Sequence, residues 1–78
     1  MSKKRKLKQA IEDCEREIEE YEHKRERSQI AIMRAMIAGE KPSPDDQQYF
    51  TVFSNLIDNE REHLRQLNAE LNGLKRRK

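Results

Sequence analysis

Gly39-Glu40-Lys41-Pro42-Ser43-Pro44-Asp45-Asp46 holds both prolines and one of the two glycines of a 78-residue chain, and its reading decides the fold. Gly39 suits the left-handed C′ position that ends a helix, and Pro42 just beyond it prevents continuation. Ser43 then reads as an N-cap and Pro44 as the first helical residue, where its missing N–H costs nothing. Asp46 falls at the third helical position, placed to close a capping box. Both aspartates also lie where the positive end of a helix favours them. The stretch predicts one helix over about residues 4–38, a connection over 39–43 and a second helix over about 44–75, with basic, frayed ends. Gly73 is the only other breaker and is placed to fray the last turn.

The flanking periodicity agrees. Leu7, Ile11, Cys14, Ile18, Tyr21, Arg25, Ser28, Ile32 and Ala35 are spaced alternately by four and three, as are Phe50, Phe53, Ile57, Glu60, Leu64, Leu67, Leu71 and Leu74. These are the a and d positions of two heptad seams. A short connection makes the helices antiparallel. The expected architecture is therefore all-α: a coiled-coil-like two-helix hairpin in a single domain over residues 1–78, completed as a four-helix bundle by dimerisation. One alignment sets Cys14 against Leu71, Ile18 against Leu67, Tyr21 against Leu64, Ser28 against Ile57 and Ile32 against Phe53. It also sets the two charged seam residues, Arg25 and Glu60, against each other as an ion pair that fixes register.

Outside the seams two features ask for partners. Ile30, Met33 and Ile37 form an apolar stripe on the first helix away from its seam, with Met36 nearby, and Tyr49, Val52 and Leu56 flank the seam of the second. An isolated two-helix hairpin cannot cover both, so these residues form a candidate partner-binding patch near the loop. Its occupant is a second copy, giving a homodimer, or another helical protein. At the other end, Lys3, Lys4, Arg5, Lys6 and Lys8 meet Lys75, Arg76, Arg77 and Lys78 in a basic tip suited to anions. Setting these nine aside leaves eight of the 17 basic residues against 15 acidic ones, so the shaft is acidic. The tip could grip a phosphate backbone, but there is no aromatic interleaving for base stacking and no recognition motif.

Chemistry is sparse. With 33% hydrophobic and 41% charged residues, the chain has little material for an enclosed pocket, and no small-molecule substrate or cofactor is expected. Cys14 reads as a small core residue, while His23 and His63 fall on outer positions, so no metal set is expected. No phosphate loop, nucleophile elbow or paired carboxylates in a cleft is visible, and the reading is of a protein that is not an enzyme. A single cysteine, no span of membrane length and a start without a signal-peptide core point to a cytoplasmic location.

In outline the hairpin is similar to the Rop family of plasmid-encoded RNA-binding bundles, a resemblance that implies a four-helix homodimer. The segment from Ala38-Gly39 through Gln48-Tyr49, with the apolar helix after it, resembles the small co-chaperones of type III secretion needle subunits. That resemblance implies a hairpin that shields an aggregation-prone partner helix. The function expected is a non-enzymatic protein–protein interaction module, an adaptor, chaperone-like or regulatory subunit. The alternatives are a nucleic-acid-binding accessory protein using the tip, or a structural scaffolding component.

Overall fold

The computed structural model describes residues 2–76 and contains two helices, α1 (Lys3–Ile37) and α2 (Pro44–Arg76), which double back to pack along each other. The product is a rod of 61 × 17 × 15 Å. Arg77 and Lys78, expected in the basic tip, lie outside the described residues.

Each helix end has an identifiable stop. Ser2 caps α1, its Oγ accepting from the Arg5 N–H at 3.2 Å. At the other end Gly39 takes φ +73°, and its N–H donates to the Met36 carbonyl at 3.1 Å. The Glu40 N–H reaches back to Ala35 at 2.8 Å, completing a Schellman motif around a glycine in the left-handed region. Ser43 caps α2, accepting from the Asp45 N–H at 3.3 Å, while its carbonyl takes the first helical bond from Gln47. Ser43 thus holds the second helical N–H and not that of Asp46, and Asp46 makes no return bond to the Ser43 N–H, so the expected capping box does not form and Ser43 acts as a simple cap. Gly73 does not break α2, which runs through it to Arg76.

Between the helices lies a thin core of Cys14, Ile18 and Ile57, with Tyr21, Leu64 and Leu67 packed against it. Ile57 is the one side chain with no exposure among the described residues. Leu7 and Leu71 are buried towards the terminal end and Ser28 towards the loop. Phe53 joins the core to the loop end, its ring 6.1 Å from that of Tyr21 and stacked on Tyr49 at 5.8 Å and 13°.

The alignment of the helices differs from the expected one. Cys14 meets Glu60 instead of Leu71, Tyr21 meets Phe53 instead of Leu64, and the Arg25 guanidinium lies over Phe50 and donates to Ser54 Oγ at 3.4 Å. Relative to α1, α2 is displaced by about one heptad, and the expected Arg25–Glu60 ion pair does not form. A slide of seven residues returns every a and d position to a position of the same kind, so apolar matching barely distinguishes the two alignments. Overlap does. The expected alignment leaves the first two turns of α1, with Leu7, beyond the end of α2; the observed one buries both Leu7 and Leu71. With α2 displaced by one heptad, Pro44 starts about level with Arg34, in the turn Ile32–Ala35. The connection therefore descends past the last turn of α1, which protrudes.

Candidate functional site

That protrusion accounts for the exposure at the loop end. Ile37 is 84% exposed and Met36 66%, because the last turn of α1 has no α2 beside it. Ile30 and Met33 are exposed further down, as are Tyr49 and Val52 on α2, while Leu56 is half-buried. All seven residues of the expected patch belong to one end of the rod, but they do not make one surface. Ile30, Met33 and Ile37 sit on the side of α1 opposite its seam. Tyr49, Val52 and Leu56 sit on the flank of α2, on the side where Lys24 and Arg27 line a groove with Ser28, Asp46, Tyr49 and Phe53. Helical spacing thus gives the loop end two apolar stripes on different faces.

The α2 stripe is the better formed. Tyr49 is held by its stack on Phe53, and Asp45, Gln48, Tyr49, Val52 and Phe53 line a shallow depression. An aromatic ring fixed against the core loses little further freedom when a partner covers it, the condition that favours an interface anchor.

Arg25 and Glu60 play separate parts. Arg25 bridges to Phe50 and Ser54 on the loop side of the core. Glu60 lies about two turns away, roughly 10 Å along the rod at ~1.5 Å per residue. There the Cys14 thiol donates towards both its backbone carbonyl and its carboxylate, each at 3.2 Å. Burial, the hydrogen bond to Glu60 and the negative charges of Glu60, Glu17 and Glu15 push that thiol up to about 11. Glu17 is raised above the ordinary carboxylate range, first by the hydrogen bond to Glu60 that its protonated form makes, then by the Glu60 charge. Heptad position alone placed Cys14 in the core; finding Glu60 beside it required the register.

At the opposite end, Lys3, Lys4, Arg5, Lys6 and Lys8 lie on the first turns of α1, and Lys75 and Arg76 end α2, all exposed. The two groups stand differently towards the helix dipoles. Lys75 and Arg76 complement a negative helix end, whereas the α1 group crowds a positive one, with no acidic residue in that first turn. Of the histidines, His23 is exposed on the outer face of α1, facing Glu26 at 3.9 Å, and His63 lies near Cys14 and Glu60. No helix of the described residues is long and apolar enough to cross a membrane.

Compared with known proteins, the chain matches no family model, no curated protein and no solved structure. Neither family resemblance drawn from the sequence therefore gains support from a match.

Proposed function

We propose that this chain is a non-enzymatic protein–protein interaction module whose loop end holds a helical partner, and that its first partner is a second copy of itself. The observation that carries the reading is the surface the hairpin leaves open. It exposes 6466 Å², against roughly 5000 Å² for a globule of its mass. The excess is comparable with the area each chain buries in a stable dimer of ordinary to large size. Six large apolar side chains between 42% and 84% exposed lie at one end of this surface. Tyr49, Val52 and Leu56, seated beside the seam, are where a second hairpin would extend the thin core into a four-helix bundle. An adaptor, chaperone-like or regulatory role follows if the same surface passes to a different helix.

Light scattering across a concentration series tests this. The wild-type chain should give the mass of a dimer, and the Met33→Lys/Val52→Glu double variant a monomer or an unfolded chain. A wild-type monomer at every concentration, or an unchanged dimer mass in the variant, overturns the patch as an interface.

A second reading, nucleic-acid binding by the tip, is favoured by one observation. The basic cluster opens α1 against its own dipole, so helix stability does not account for it. Binding of this kind would weaken steeply with added salt and show little sequence preference. A scaffolding role would instead give open, growing assemblies in the same light-scattering series.

A further inference from the structure

Midway along the rod, three different donor types meet across the two helices. Cys14 comes from α1; Glu60 and His63 lie one turn apart on α2, a Glu-x-x-His pair whose side chains share a face. One ligand atom from each lies within 4.8 Å of the others, and Sγ is already 3.2 Å from Glu60 Oε2. Around a tetrahedral zinc, with bonds of ~2.3 Å to sulfur and ~2.0 Å to nitrogen or oxygen, ligand atoms stand about 3.5 Å apart. Small side-chain adjustments bridge that difference. Cys14 is 3% exposed and turns its sulfur towards the cluster, Glu60 is half-buried and His63 is exposed, so an ion would enter from the His63 side.

An independent observation points to positive charge here. Glu60 occupies a seam position with no basic partner: among the described residues the ion pairs are made by Glu22, Glu26, Glu62 and Asp13, and none by Glu60 or Glu17. Glu17 is close enough to Glu60 for the two carboxylates to repel, and neither makes an ion pair among the described residues. Arg25, assigned to this task by the sequence, is engaged with Phe50 and Ser54.

We propose that Cys14, Glu60 and His63 form a site for a divalent cation of zinc's borderline character, with water in the fourth position. Sulfur, imidazole and carboxylate together select zinc or cobalt over magnesium and calcium, which take oxygen ligands. Binding breaks the Cys14 S–H bond, forms the sulfur–metal bond and releases the proton to solvent, so affinity rises with pH. The ion would tie α1 to α2 at mid-rod and hold the observed register.

Titration of the full chain with Co²⁺ under reducing conditions, followed by absorption, tests the site. We expect one ion per chain, tetrahedral d–d bands and a sulfur-to-cobalt charge-transfer band that Zn²⁺ displaces and Mg²⁺ does not. Cys14→Ser should abolish the charge-transfer band. That substitution puts a hydroxyl at a buried core position and can unfold the chain, so His63→Ala, at an exposed position, is the firmer variant: circular dichroism should stay helical while cobalt affinity falls tenfold or more. No charge-transfer band at saturating cobalt, one ion per two chains, or an unchanged affinity in His63→Ala overturns the proposal.

Discussion

The two glycines stand in opposite circumstances. Gly39 holds φ +73°, where an L side chain crowds the following carbonyl whatever space surrounds it. Nothing lies within 4 Å of a Cβ built at either glycine, so neither position is limited by packing. Gly39→Ala should therefore cost about 1–2 kcal/mol through the backbone alone. Gly73 is helical and open to solvent, and alanine there removes chain entropy from the unfolded state without strain. Gly73→Ala should stabilise, by up to ~1 kcal/mol and less if the last turn frays. Urea unfolding of both variants checks this: the midpoint falls for the first and rises for the second. A shift of the same sign in both would mean that the Gly39 turn does not set the end of α1.

At the scale of the helices, the displacement by one heptad has a measurable consequence. Arg25 and Glu60 belong to different contact sets, so a double-mutant cycle with Arg25→Ala and Glu60→Ala should be additive within about 0.3–0.5 kcal/mol. Arg25→Ala should still be costly alone, since it strips a guanidinium from Phe50 and Ser54. A coupling well beyond that range would restore the alignment expected from the sequence. The elements themselves were legible because their signals are local: a glycine, two prolines and a serine punctuate the chain, and the four-three spacing marks each inner face. The register was not, because a heptad pattern repeats on itself and the choice rests on end-to-end overlap, a property of both helices at once. The meeting of Cys14, Glu60 and His63 was hidden for the same reason. No local signal links residue 14 to residue 60 until the alignment is known. Exposure at Ile37 and Met36 likewise reflects how far α1 protrudes past the start of α2, which spacing along one helix does not encode.

For the whole molecule, the decisive quantity is how little the hairpin buries by itself. Among the described residues Ile57 alone is fully enclosed, and two helices of over thirty residues share one narrow seam flanked by an acidic shaft. Burial at ~25 cal/mol per Å² has to offset backbone ordering of ~1–2 kcal/mol per residue, and a single seam leaves that balance close to zero. Self-association moves it. If the folded form is a dimer, unfolding releases two chains, and each tenfold rise in concentration adds about 1.4 kcal/mol per mole of dimer. The thermal midpoint should then climb by a few degrees per tenfold increase in chain concentration. Melting curves at constant salt over a hundredfold range would show it, and the Met33→Lys/Val52→Glu variant should lose the dependence together with much of the stability. A midpoint that stays constant over that range would mean that the single seam suffices, and the apolar loop end would then have to be explained by a different protein.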